Sequence, residues 1–149
     1  MKLYLDCCCF NRPYDDMSDN TMWLESEAIL AIINKCEVAE WEFFSSDILF
    51  DEISQMGNID KQKKVLLLYQ LATQHISLTD EIVVRAREFE KLNAKAYDSL
   101  HLASAESVGV DVFLTTDKKL IKSAKRSDTK MIVKNPLIWL TEVLYEHEL

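Results

Sequence analysis

"DVFLTTDKKLIKSAKR", residues 111–126, decides the fold. Val112 to Thr116 are apolar or β-branched, as in a short buried strand. From Asp117 onward, charges surround Leu120, Ile121 and Ala124, the pattern of a helix with one apolar face. The chain passes from strand to helix at Asp117, and the rest of the sequence alternates the same two kinds of element.

Working outward, residues 2–6 read as a buried strand. Residues 18–35 read as a helix with a stripe of Trp23, Ala28, Ile29, Ile32 and Ile33. "WEFFSS", 41–46, is a second strand, and Ser46 caps a helix over 47–56 that stops at Gly57. A helix over 60–73 and a short strand over 75–78 follow. Thr79 opens another helix, with Asp80 and Glu81 favourable in its first turn. A turn near Asn93 precedes a helix over 95–108 that ends at Gly109. "KMIVK", 130–134, is the last strand, and Asn135 and Pro136 take the cap and first positions of the last helix. The alternation predicts an α/β domain with a mostly parallel sheet, whose sites lie beyond the carboxyl ends of the strands.

Composition narrows the classes. The 149 residues, 48% of them hydrophobic, suit one domain over 1–149 with a sizeable core. Two glycines and two prolines leave no material for long linkers or a glycine-rich phosphate loop. Asp6 interrupts the only apolar start, so neither a signal peptide nor a membrane span is expected, and a cytoplasmic protein is. Cys7, Cys8, Cys9 and Cys36 contain no Cys-x-x-Cys pair and read as reduced, packed thiols rather than zinc ligands. A net charge of −8 argues against nonspecific coating of nucleic acid. It leaves room for an enzyme whose acids hold cations, because bound divalent ions invert the local field.

Four acids stand at positions that ask for a partner. Asp6 ends the first strand. Glu52 falls within the helical stripe of Ile48, Leu49, Ile53 and Met56, where a lone carboxylate is costly unless it escapes at the helix edge. Asp98 shares a face with His101, Leu102 and Ala105, unless it caps the helix. Asp117 follows a strand and opens a helix, where capping alone explains it. Thr115 and Thr116 can cap in its place and leave it free. His101, with no His or Cys nearby, reads as a hydrogen-bonded core residue or a support to the acids rather than a ligand. Each acid alone has a plain structural explanation. Together, four clustered carboxylates cannot all stay ionised without cations, and oxygen ligands suit Mg²⁺ or Mn²⁺.

In order and spacing, "LYLDCCCFNRP", "SSDILFDEI", "AYDSLHLASAE" and "VFLTTDKKL" resemble the PIN-domain nucleases, closest to the small prokaryotic VapC-like type. The resemblance implies a single three-layer α/β/α domain. It also implies a metal-dependent endoribonuclease whose catalytic and metal-holding residues are Asp6, Glu52, Asp98 and Asp117. Thr115, Thr116 and Asn11 support the site. It further implies a single-stranded RNA substrate, with a cognate antitoxin or a homodimer as partner if the chain is the toxin of a toxin–antitoxin pair. Arg12, Lys118 and Lys119 are the candidate phosphate contacts, and the triple cysteine is read as a bystander. A haloacid-dehalogenase-like phosphatase would need Asp-x-Asp after the first strand, where this chain has Asp6-Cys7-Cys8. The alternative from another class is a PIN-fold protein-interaction module with little catalysis.

Overall fold

The computed structural model describes residues 1–16 and 18–148. Five strands, β1 (Lys2–Leu5), β2 (Glu42–Ser46), β3 (Gln74–Ile76), β4 (Val112–Leu114) and β5 (Ile132–Lys134), form one parallel sheet in the order β3-β2-β1-β4-β5. Eight helices connect and cover them: α1 (Cys7–Asn11), α2 (Asn20–Glu37), α3 (Asp47–Ser54), α4 (Ile59–Tyr69), α5 (Asp80–Glu90), α6 (Ala96–Ser107), α7 (Lys118–Lys125) and α8 (Pro136–Glu148). A 3-10 turn, Arg12–Tyr14, follows α1.

Side chains alternate across β1 and divide the core into two layers. Leu3 and Leu5 pack with Phe10, Ile29, Ile32, Leu49, Val65 and Trp139 from α1, α2, α3, α4 and α8. Tyr4, between them, packs on the other face with Ile82, Phe89, Leu102 and Leu120 from α5, α6 and α7. A sheet covered on both faces requires strands apolar on both faces, as β1 and β4 are. This is the three-layer α/β/α arrangement expected from the sequence.

The strand order places the site. The chain runs from β1 to one side of the sheet through β2 and β3, then crosses to build β4 and β5 on the other. The segments leaving β1 and β4 therefore diverge to opposite faces of the sheet, the place where sites form in open parallel sheets. Leu5 pairs with Leu114, and the Asp6 amide donates to the Leu114 carbonyl at 3.0 Å. The first residues past the two strands, Asp6 and Thr115, thus lie side by side.

Helix starts follow the local chemistry. Asp19, Ser46, Thr79, Asp117 and Asn135 each accept backbone N–H groups of the helices they open. Asn93 and Gly109 take positive φ, +71° and +70°, where a short polar side chain or none is tolerated.

Several expectations are corrected. The segment after Asp6 is a short helix, an element absent from the sequence reading, because the Asp6 carboxylate accepts the Cys7 amide while Cys7, Cys9 and Phe10 bury themselves in the core. α3 ends at Ser54, and Gly57 is not left-handed, so it is not the expected helix stop. α4 ends at Tyr69, four residues early, which lets β3 begin at Gln74. Trp23 is exposed, while Glu25 and Ser26 take its place on the inner face of α2. Among the described residues, no helix is long and apolar enough to cross a membrane.

Candidate active site

Asp6 is the most constrained of the four acids. It is 5% exposed, yet its carboxylate accepts three donors: Oδ1 accepts the Cys7 amide at 2.8 Å, and Oδ2 accepts the Thr115 hydroxyl at 2.9 Å and the Cys8 thiol at 3.4 Å. Such partners are what permit a carboxylate beneath the surface. The fully buried Thr115 Oγ1 also accepts the Asp117 amide at 3.1 Å, so one hydroxyl ties the end of β1 to the start of α7.

Asp117 is the N-cap of α7. Its Oδ1 accepts the amides of Lys119 and Leu120 at 2.9 and 3.3 Å, so the capping reading holds, and neither threonine caps in its place. Oδ2 has no partner among the described residues. A cap that uses one oxygen leaves the other for a ligand.

Asp98 does not cap its helix. Lys95 occupies that position, and Asp98 sits in the first turn of α6. Its carboxyl is pushed up to about 6, first by burial and then by the charges of Asp6 and Asp117; His101 opposes these and Glu52 adds to them. The four acids thus share one electrostatic environment.

Glu52 lies at the partly exposed edge of α3, and its Oε1 accepts from His101 Nε2 at 2.6 Å. His101, itself without exposure, reaches Tyr4 Oη through Nδ1 at 2.6 Å, and its Nε2 stands 3.9 Å from Asp6 Oδ1. Burial alone would lower the imidazole's pKa. The Glu52 hydrogen bond and the charges of Asp6, Glu52 and Asp98 outweigh burial and raise it.

Ligand atoms of Asp6, Glu52 and His101 all lie within 4.8 Å of one another, close enough to surround one ion. The donor set suits a hard cation: carboxylate oxygens predominate, and the lifted Asp98 carboxyl marks a surplus of negative charge that a divalent ion would relieve. Asp98 and Asp117 do not belong to that three-residue group; Asp98 joins it through the charges that act on its carboxyl.

The remaining candidates divide. Thr115 is within the cluster. Thr116 turns away, its Oγ1 accepting Arg12 Nη2 at 2.9 Å. Asn11 makes no described bond to Asp6; its Nδ2 reaches Cys7 Sγ at 3.8 Å and its buried Oδ1 has no partner. Arg12 is engaged by Asp15 at 3.1 Å and by the buried Glu25 at 3.3 Å, the latter an ion pair not aligned as a hydrogen bond. Its charge is spent within the protein. Lys118 and Lys119 are exposed on the first turn of α7, directly after Asp117.

Two participants escaped the sequence reading. Cys8 is no bystander, for its sulfur also accepts the Thr116 amide at 3.4 Å and lies 3.4 Å from Thr115 Oγ1. Tyr4 carries the one polar tip in the run Leu3-Tyr4-Leu5, and a buried hydroxyl of that kind signals a partner. At the opposite, amino end of the sheet a cavity of about 710 Å³ is lined by Arg85, Asp111, Asp128 and Ile132. There Arg85 is already held by Glu106, Glu88 and Asp128, and offers no free cation to a ligand.

Comparison with known proteins agrees with this fold. The PIN domain family model matches residues 4–126. Among solved structures, the chain is similar in fold to VapBC2 from Rickettsia felis, determined bound to a DNA fragment from their promoter. The TM-score is 0.64 at 13% identity, covering 91% of this chain and 98% of that one. It is similar also to PAE2754 from Pyrobaculum aerophilum, with a TM-score of 0.53 at 16% identity, covering 95% and 90%. No curated protein matches. The family match runs from the end of β1 through α7 and includes all four acids: this chain belongs to the PIN domain family of nucleases.

Proposed function

We propose that the chain is a divalent-metal-dependent ribonuclease that hydrolyses phosphodiester bonds of single-stranded RNA, with Mg²⁺ or Mn²⁺ held by Asp6, Glu52, Asp98 and Asp117. The observation that carries this reading is the lifted Asp98 carboxyl beside the buried Asp6, whose Oδ1 accepts a single donor. A divalent ion at these oxygens supplies Lewis-acid polarisation of the phosphate and a more acidic bound water. The chain supplies the rest. Thr115, Cys7 and Cys8 keep Asp6 in one orientation, and α7 presents Asp117 with one oxygen uncommitted. Glu52, whose Oε2 is left free by His101, serves as a ligand or orients the attacking water. Lys118 and Lys119 meet the phosphates that flank the scissile bond.

The likeness in fold to VapBC2 supports a toxin whose site a small antitoxin covers. Exposed Trp23 and Leu24 of α2 and Ile138 and Tyr145 of α8, on two helices that pack together, offer an apolar surface for that partner or for a second copy.

The test is cleavage of a mixed single-stranded RNA pool in Mn²⁺, in Mg²⁺ and in chelator, beside Asp98→Asn. Metal-dependent cutting abolished by the substitution is the expected result. Metal binding without cutting would shift the reading toward a selective substrate or a required partner. Neither binding nor cutting would overturn it in favour of an interaction module.

A further inference from the structure

Glu52 is gripped from inside the protein. We propose that Tyr4 and His101 form a positioning relay that orients the Glu52 carboxylate for metal, with His101 donating from Nε2 and not itself a ligand. This rests on the reading of Glu52 as a metal-holding residue.

The polarity of the relay follows from counting protons. The Leu49 amide donates to Ser46 Oγ at 3.0 Å, which fixes that oxygen as an acceptor at the start of α3. The Ser46 proton then has the Tyr4 hydroxyl oxygen, 2.7 Å away, as its partner. Tyr4 therefore directs its own proton to His101 Nδ1 at 2.6 Å. The imidazole proton is left on Nε2, which donates to Glu52 Oε1 at 2.6 Å. Ser46, Tyr4 and His101 have no exposed surface, so water cannot substitute for any member. Reversing the chain would leave the Ser46 proton without an acceptor among the described residues, an unsatisfied buried hydroxyl.

That polarity decides a question the distances leave open. Asp6, Glu52 and His101 are spaced for three-residue coordination. A histidine ligand needs its lone pair on the coordinating nitrogen, and here the lone pair is on Nδ1, facing Tyr4. His101 is thus the partner of a ligating carboxylate, the arrangement that fixes ligand orientation in metal sites. Tyr4 stands two residues before Asp6 and His101 three after Asp98, so one buried chain sets Glu52 relative to two other acids.

A surface counterpart shows what burial adds. Ser45, His75 and Asp47 form a similar chain, 2.7 Å at each link, but His75 and Asp47 are exposed and water competes for every partner.

The first measurement is the ¹⁵N spectrum of the wild-type imidazoles at pH 8. A His101 proton on Nε2 is expected; one on Nδ1 overturns the proposal. The second is Mn²⁺ affinity. His101→Gln keeps a donor at the Nε2 position and is expected to bind Mn²⁺ within about threefold of wild type, whereas His101→Asn withdraws that donor and should weaken binding about 10–100-fold. In a Glu52→Gln background His101→Asn should add nothing further, as expected if the histidine acts through that carboxylate. The surface control His75→Asn should leave affinity unchanged. Equal losses from His101→Asn in both backgrounds, or from His101→Gln and His101→Asn alike, would overturn the relay. If the wild type binds no Mn²⁺, the nuclease reading falls, while the ¹⁵N spectrum still decides the polarity.

Discussion

Thr115 Oγ1 donates to Asp6 Oδ2 at 2.9 Å while accepting the Asp117 amide at 3.1 Å, so one buried hydroxyl joins two acids that are 111 residues apart in the chain. Thr115→Val keeps the shape and removes both bonds. It leaves Asp6 one donor short in a buried setting, a loss of about 1–3 kcal/mol. Chemical denaturation should show that loss, and Mn²⁺ titration a weaker site. Thr115→Ser, which keeps the hydroxyl, should largely retain both properties.

The lifted Asp98 carboxyl has a defined sign. Its folded pKa of about 6 lies above the ordinary carboxylate value of 3.8. Between these values the folded protein therefore holds more protons than the unfolded chain, and stability from this group falls as pH rises through that window. Above pH 6 the metal-free protein carries the full penalty. Asp98→Asn removes it, and should raise stability at pH 7.5 by about 1 kcal/mol once screening at the open side of the group is allowed for. The advantage should vanish below about pH 3, where Asp98 is protonated in both states. Thermal melts of both proteins across this range check it. Mn²⁺ should raise the melting temperature of the wild type and leave that of Asp98→Asn unmoved.

Arg12 behaves as a clamp. It links the 3-10 turn to Glu25 on α2 and to Thr116, while Asn135 Nδ2 donates to Glu25 at 2.6 Å. Arg12→Met strands the buried Glu25 charge and should cost about 3–5 kcal/mol in urea unfolding. Adding Glu25→Gln should recover a large part, since the uncompensated charge and not the lost contact dominates. A loss unchanged in the double variant would show that packing of the arginine stem is what matters.

How far the sequence discloses all this depends on the range of the interaction. Periodicity and caps are local, and Ser46, Thr79, Asp117 and Asn135 open their helices as read. Asp6 and Asp117 were legible because each follows the carboxyl end of a strand. Glu52 was legible because a carboxylate in an apolar stripe needs a partner. Glu25 gave the same signal in α2 and was passed over for Trp23, the larger apolar residue. Cys8 and Tyr4 were hidden because their roles come from the β1–β4 register and from α6, contacts about a hundred residues apart. Arg12 looked like a phosphate ligand because Glu25, the buried acid that pairs with it, lies on another helix.

Lys118 and Lys119 are left as the cations best placed for substrate. Both are exposed at the start of α7, directly after Asp117. Reversing them to glutamate puts negative charge at a helix amino terminus, which favours the helix by about 0.3–1 kcal/mol, so unfolding cannot account for lost function. RNA affinity should drop, and the slope of log K against log salt should flatten by about 0.7 for each phosphate contact removed. Lys122→Glu and Lys125→Glu, further along the helix, should change the slope less. Filter binding of a single-stranded RNA between 50 and 200 mM salt, roughly the range over which such contacts are resolved, separates these outcomes. An unchanged slope in Lys118→Glu/Lys119→Glu would move the phosphate track off α7 altogether.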